Sequence, residues 1–237
     1  VKVLVTGASG RVGRALLANL PREIEAETLL HPEEPDIGFP WYRADIAGRE
    51  KTIMAVTCAS PDILVHLAAM TDVDGCERDP EAALRINRDG AAHVAEACAA
   101  CGASMVNVST DYVFDGRSGP YAETDEPHPV NQYGWSKLYG ERAAAERTEK
   151  LSIVRICVPF GPRTPGTAHN FVSFLDEKLA AGESVRVVTD QFTTPAWLTE
   201  LAEFLWAVIR REERGVIHYG CSNRVSRYEM ALELCKV

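Results

Sequence analysis

Short apolar runs alternate with segments of helical period along most of this chain. Lys2–Thr6, Ala26–Leu30, Trp41–Ile46, Asp62–Ala69, Ser104–Val108 and Leu151–Val158 read as strands. Between them, Arg14–Leu20, Glu50–Ala59, Pro80–Ala100 and Asn131–Arg147 place apolar residues at helical spacing. In the second of these helices Ile53, Met54 and Val56 form the expected core face, and Pro80 opens the third. Strands that are apolar throughout and separated by helices predict an α/β fold, a doubly wound parallel sheet covered on both faces. Beyond residue 158 the pattern loosens. A helix over His169–Ala181, a short strand over Val185–Val188, a helix over Leu198–Ile209, a strand over Val216–Tyr219 and a last helix capped by Ser226 are expected there.

The link from the first strand to the first helix carries candidate chemistry. Gly7, Gly10 and Gly13 stand at G-x-x-G-x-x-G spacing, with Ala8, Ser9, Arg11 and Val12 between them. A strand, a glycine turn and a helix N-terminus together suit the pyrophosphate of a dinucleotide. The fold is therefore Rossmann-type, with a dinucleotide-binding domain over 1–158. A small α/β substrate-binding region over 159–237 is interleaved with it. After the second strand come His31 and Pro32, with Glu33 and Glu34 only later, so no acid stands where a ribose diol is usually bound. Arg11 or Arg14 could meet a 2′-phosphate, or could simply be an exposed helix start, and the choice between NADP and NAD stays open. Asp45 could accept from an adenine amino group with Ile46 against the ring, or could cap the next helix. Ala68 and Ala69 leave room for a flat cofactor. His66, inside an apolar run, reads as a satisfied core residue. Asn87, on the apolar side of its helix, is expected to brace a neighbouring backbone.

The stretch from Ser109 to Lys137 organises the rest. Ser109-Thr110-Asp111 ends a buried strand, at the sheet edge where open α/β folds place ligands. Tyr133 and Lys137, four apart, share one helix face. A hydroxyl, a phenol and an ammonium can together deliver a proton to a carbonyl oxygen. A free phenol titrates near ~10 and is a poor acid–base catalyst at neutral pH, so Lys137 is expected to stabilise the phenolate. Gly116–Pro129 reads as a surface loop. Thr71–Asp74 and the polar-aromatic run Asp190–Trp197 each suit either a substrate wall or ordinary loop chemistry.

Composition narrows the partners. A net charge of −9 argues against nucleic acid, which needs concentrated Lys and Arg. No apolar run is long enough to span a bilayer, and Val1–Gly7 enters a strand directly rather than a signal peptide. The seven cysteines have no framework spacing and read as reduced thiols of a cytoplasmic protein; Cys98-x-x-Cys101 reads as small helix residues, and no metal set is expected.

Together, Gly7–Gly13, His66–Asp74, Asn87, Ser109–Gly116, Tyr133–Lys137 with Gly140-Glu141, and Asp190-Gln191 with Pro195 resemble the extended short-chain dehydrogenase/reductases, in the dTDP-4-dehydrorhamnose reductase branch. The resemblance covers nearly the whole chain, although the chain stops where more substrate-domain sequence is expected. It implies Thr110, Tyr133 and Lys137 as the catalytic trio. It implies a cofactor set of Gly7, Ser9, Gly10, Arg11, Val12, Gly13, Asp45, Ile46, Leu67, Ala68, Ala69 and Asn87, with Tyr133 and Lys137. Thr71, Asp72, Val73, Asp111, Asn170, Gln191 and Trp197 would line the substrate. The implied reaction is NAD(P)H-dependent reduction of the 4-keto group of a nucleotide-linked deoxysugar, and the implied assembly a homodimer. An epimerase or dehydratase of nucleotide sugars is the nearest alternative; the Tyr112 that follows Asp111, where a dehydratase commonly has Glu, argues against it. A non-catalytic dinucleotide-binding subunit, like the regulatory subunit of methionine adenosyltransferase, is the other.

Overall fold

A computed structural model describes residues 1–31, 37–162 and 170–236. The chain builds β1 (Lys2–Thr6), α1 (Arg11–Ala18), β2 (Glu25–Leu30), β3 (Trp41–Arg43), α2 (Arg49–Ala59), β4 (Ile63–His66), α3 (Val73–Arg78), α4 (Pro80–Ala83), α5 (Gly90–Cys101) and β5 (Ser104–Thr110). There follow α6 (Gln132–Ala145), β6 (Leu151–Ile156), β7 (Pro159–Phe160), α7 (Phe171–Ala180), β8 (Phe192–Thr193), β9 (Ala196–Trp197), α8 (Leu198–Arg211), β10 (Gly215–Tyr219), β11 (Val225–Ser226) and α9 (Arg227–Leu234). Seven strands form one sheet in the order β10-β6-β5-β4-β1-β2-β3. All its pairings are parallel. The order reverses beside β1, so β1 and β4 diverge at their carboxyl ends and leave a crevice there. The expected α/β doubly wound sheet is the observed one.

Each sheet face buries one layer. Leu16 and Leu17 of α1 meet Leu201, Leu205 and Ile209 of α8 on one face. Val56 of α2, Val94 and Cys98 of α5 and Ala144 of α6 cover the other. Trp206 of α8 donates its indole N–H to the Leu16 carbonyl at 3.0 Å. Residues 159–237 thus divide. α8 and β10 complete the large sheet and its cover, whereas β7, α7, β8, β9, β11 and α9 lie across the crevice or beside it.

Several expectations shift. Met54 is 63% exposed, and Thr52, Ala55, Val56 and Ala59 form the buried face of α2 instead. β3 stops at Arg43 because Asp45 Oδ1 accepts from Ala47 N at 2.9 Å and turns the chain; Gly48, not Asp45, caps α2. Thr71–Asp74 leads into α3 rather than a plain turn. The helix from Pro80 is interrupted by a π-helical segment, Leu84–Asp89. There Gly140 of α6 lies directly against the Asn87 carbonyl, with no room for a Cβ. Residues 185–188 form no strand. α7 begins at Phe171 under an Asn170–Ser173 capping box. Its expected first residue, His169, lies outside the described residues, as do Pro32, Glu33 and Glu34.

Candidate active site

A cleft of about 910 Å³ opens at the carboxyl ends of β1, β4 and β5. Its floor is the glycine turn. Gly7 has φ +64°, and a Cβ there would stand 2.6 Å from the Ala68 amide nitrogen at the end of β4. A Cβ on Gly13 would stand 2.5 Å from the Gly7 carbonyl oxygen. Backbone therefore meets backbone where any side chain would fill the cradle, and the N-terminus of α1 faces the opening. These features fit a dinucleotide pyrophosphate. Arg11 lines the cleft, whereas the Nε of Arg14 donates to the Ser9 carbonyl at 2.8 Å. Asp45 and Ile46 line its far end with His31.

The trio occupies the opposite wall. Thr110 closes β5, and its hydroxyl accepts from Tyr112 N at 3.2 Å. Asn131 caps α6 by accepting from Gly134 N at 2.8 Å, which brings Tyr133 into the first turn. Tyr133 and Thr110 line the same cleft, close enough for the hydroxyl to act on the phenol. One turn on, Lys137 donates from Nζ to the Val108 carbonyl at 2.8 Å. The Ser109 hydroxyl points the other way and donates to Glu141, so alternation along β5 turns the Thr110 hydroxyl, rather than that of Ser109, toward the cleft.

Burial dominates the electrostatics of the trio. Burial pushes the Tyr133 phenol well above its ordinary value; the Thr110 hydroxyl opposes this and the Asp111 charge adds to it. Burial lowers Lys137 to about 8, against the pull of Glu141. Burial also raises Asp111, while hydrogen bonds from Cys157 Sγ (2.9 Å) and Thr110 Oγ1 (3.2 Å) oppose the rise. His66, lowered to about 3 mainly by burial, stays neutral; its Nδ1 lies 2.8 Å from Thr6 Oγ1. That hydroxyl accepts from the Leu67 and Ala68 amides, so it donates to the ring. His66 thus braces the end of β4, as a core residue.

Most of the expected site residues meet in this cleft: Gly7, Ser9, Gly10, Arg11, Val12, Gly13, Asp45, Ile46, Leu67, Ala68, Ala69, Thr71, Val73, Thr110, Asp111, Tyr133, Lys137 and Asn170. Four do not line it. Asn87 is buried and braces backbone: Oδ1 accepts from Met70 N at 2.8 Å, and Nδ2 donates to the Met70 carbonyl and Ser136 Oγ at 3.0 and 2.9 Å. It shapes the wall rather than touching what lies inside. Asp72 pairs with Arg78 at 3.1 Å on the surface. Gln191 is exposed, and its carbonyl accepts from Arg227 N at 3.0 Å. Trp197 packs edge-on against Phe160, 5.3 Å between centroids.

Residues not foreseen enter the wall, among them Met70, Tyr112, Val158, Phe171 and Arg227. Tyr112 meets Tyr133 edge-to-face at 5.5 Å. Val158 has φ +34°, a conformation that β-branched residues avoid. Its carbonyl and that of Cys157 both accept from Ala196 N, at 3.2 and 3.0 Å, which fixes this turn against β9. The residue before a proline is ordinarily extended, so nothing in the sequence signals this turn, and nothing there signals Arg227.

Relatives of known name are similar to this chain in sequence and fold. The RmlD substrate binding domain family matches residues 1–237. A dTDP-4-dehydrorhamnose reductase of Mycobacterium tuberculosis is 37% identical over 97% of this chain and 73% of its own length. Methionine adenosyltransferase 2 subunit beta of Danio rerio is 30% identical over 97% of this chain and 71% of its own. Among solved structures, dTDP-4-dehydrorhamnose reductase from Bacillus anthracis in complex with NADP superposes with a TM-score of 0.86 at 31% identity, covering 99% of this chain and 79% of that one. The glycine cradle, the wall of Thr110, Tyr133 and Lys137 and this end-to-end match place the chain in the RmlD substrate binding domain family, together with dTDP-4-dehydrorhamnose reductases.

Proposed function

We propose that this protein is an NAD(P)H-dependent oxidoreductase that reduces the 4-keto group of a nucleotide-linked deoxysugar. The observation that carries the reading is the convergence of Thr110, Tyr133 and Lys137 on the cleft that the glycine cradle floors, with Lys137 one helical turn beyond Tyr133. A reduced nicotinamide dinucleotide supplies the hydride. Gly7 and Gly13 admit its pyrophosphate to the backbone, while Ala68 and Ala69 border the same cleft. Thr110 orients the carbonyl oxygen through its hydroxyl. Tyr133, protonated at neutral pH, donates its proton to that oxygen as negative charge develops there. A phenol raised by burial suits the acid role, which is the direction of reduction. Lys137, cationic below about 8, stabilises the phenolate left behind and reaches the ribose hydroxyls. Asp111 and Asn170 line the same cleft beside the trio, where the sugar would lie.

The test is to incubate the protein with a dTDP-4-keto-6-deoxysugar and follow NADPH or NADH absorbance. Tyr133→Phe should lower turnover by roughly 10²–10⁴-fold while dinucleotide binding persists. The likeness to methionine adenosyltransferase 2 subunit beta supports a second reading, a dinucleotide-binding regulatory subunit. Tight dinucleotide binding with no turnover of any 4-keto sugar would favour it. The reading includes a cytoplasmic setting, supported by seven free cysteines. It also includes a homodimer through the helices flanking the trio, which light scattering would test.

A further inference from the structure

A row of hydrogen bonds runs behind the wall that carries Thr110. It starts at Thr193, the last residue of β8, which is held by its antiparallel pairing with Val225 of β11. Thr193 Oγ1 lies 2.8 Å from the sulfur of Cys157, just past the end of β6. Thr194 N donates to the same sulfur at 3.4 Å. The thiol donates in turn to Asp111 Oδ2 at 2.9 Å, and the Thr110 hydroxyl donates to Asp111 Oδ1 at 3.2 Å. Cys157 and Thr193 are buried and stand behind the lining; Thr110 and Asp111 belong to it.

The hydrogens available give this row one direction. Cys157, pushed up to about 12 mainly by burial, keeps its proton at neutral pH. A thiol has that one hydrogen to give, and an ionised carboxylate is a stronger acceptor than a hydroxyl. Thr193 therefore donates to the sulfur, and the sulfur donates to Asp111. The Thr110 hydroxyl also has one hydrogen. It accepts from Tyr112 N at 3.2 Å, and while its own hydrogen points to Asp111 it has none for a substrate carbonyl. Two donors thus share one carboxylate, and the better Cys157 satisfies it, the less firmly it holds Thr110. We propose that Cys157, oriented by Thr193, is a positioning residue for the reduction: it engages Asp111 from behind and leaves the Thr110 hydroxyl free to turn to the substrate oxygen. This rests on the function proposed above.

A proton on Asp111 releases Thr110 by another route, since a neutral carboxyl is the weaker acceptor. Burial raises Asp111, whereas the bonds from Cys157 and Thr110 and the charge of Arg227 on α9 oppose the rise; Tyr133 faces it from α6 as a neutral phenol. The test compares wild type, Cys157→Ala and Cys157→Ser, each as the whole chain, in reduction of a dTDP-4-keto-6-deoxysugar by NADPH. At neutral pH Cys157→Ala should lose about 10-fold in kcat with KM little changed. Its deficit should shrink as pH falls and Asp111 takes up a proton, whereas a mere packing gap would lower kcat by one factor at every pH. Cys157→Ser keeps a donor in place and should recover most of the loss. A second readout needs no turnover. The carboxyl carbon of Asp111, followed by NMR with isotope-labelled aspartate and assigned through Asp111→Asn, should titrate at higher pH in Cys157→Ala than in wild type. The proposal is overturned if Cys157→Ala turns over as wild type does, if its deficit is the same at every pH, or if the Asp111 titration stays in place. Turnover with a pH-independent deficit would keep the proposed reaction and sink the positioning role. In a protein that reduces no 4-keto sugar the reaction falls, while an upward shift of Asp111 still supports the hold of Cys157 on it.

Discussion

Lys137 sets the pH behaviour expected of this site. Its ammonium is buried, and burial brings it to about 8. Catalysis that needs the cation should be complete below that value and decline as pH rises through it, with kcat/KM following one ionisation. Glu141, one turn along α6, favours the charged form. Glu141→Gln should therefore move the alkaline limb to lower pH, and a limb that stays in place would show that Glu141 does not act on Lys137. The thiols give a second check. Cys157 is buried and pushed up to about 12, chiefly by burial, whereas Cys58 and Cys235 are exposed. Iodoacetamide applied to the native protein should label Cys58 and Cys235 and spare Cys157, because the thiolate is the reacting species; rapid labelling of Cys157, read by peptide mass, would contradict the structure.

At the scale of elements, two contacts hold the site in shape. The first is the cradle. Gly7→Ala forces a side chain into a left-handed conformation and into the end of β4. It should abolish dinucleotide binding and destabilise by about 1–3 kcal/mol, measured by denaturant unfolding. The second ties α6 to β5 and β6. Arg155 meets Glu141 through Nε–Oε1 at 3.1 Å and Nη2–Oε2 at 2.7 Å, both side chains buried, with Ser109 as a third partner. Removing one partner strands a buried charge, so Arg155→Met should cost about 3–5 kcal/mol. A double change, Arg155→Met with Glu141→Leu, should recover much of that. Stability unchanged in the single variant would mean that the pair does not hold α6 in place. The π-helical segment belongs here too. Spacing marked Pro80–Ala100 as one helix, and nothing local announces the widening that turns Asn87 onto Met70 and Ser136.

The whole molecule joins what the sequence pattern separates. Residues 1–158 read as a dinucleotide domain with 159–237 interleaved with it, and the interleaving is physical: β10 extends the same sheet beside β6, and α8 covers Leu16 and Leu17. A chain ended at residue 158 should therefore fail to fold cooperatively, by circular dichroism and thermal melting, because it exposes that apolar face. A cooperative transition in the truncated chain would show that α8 and β10 are dispensable. The far wall of the cleft also exists only at this scale, since α7 and α9 meet across many intervening residues to put Phe171 and Arg227 together.

Sequence determined what depends on neighbours along the chain. Apolar runs set the strands and their helices, the glycine spacing set the turn, and four-residue spacing put Tyr133 and Lys137 on one face. Tertiary structure decided what depends on which strand edge or helix end faces which. Polar-aromatic composition around Gln191 and Trp197 suited a sugar, yet packing turned Trp197 onto Phe160 and left Gln191 on the surface. Asn87 went to the wall rather than the cleft. Alternation along β5 allowed either Ser109 or Thr110 to face the cleft, and Glu141, reaching across from α6, settled it for Thr110. Arg227 gave no sign in its own stretch, because a place on the cleft wall is a property of the surroundings in space, and periodicity along a chain says nothing of those.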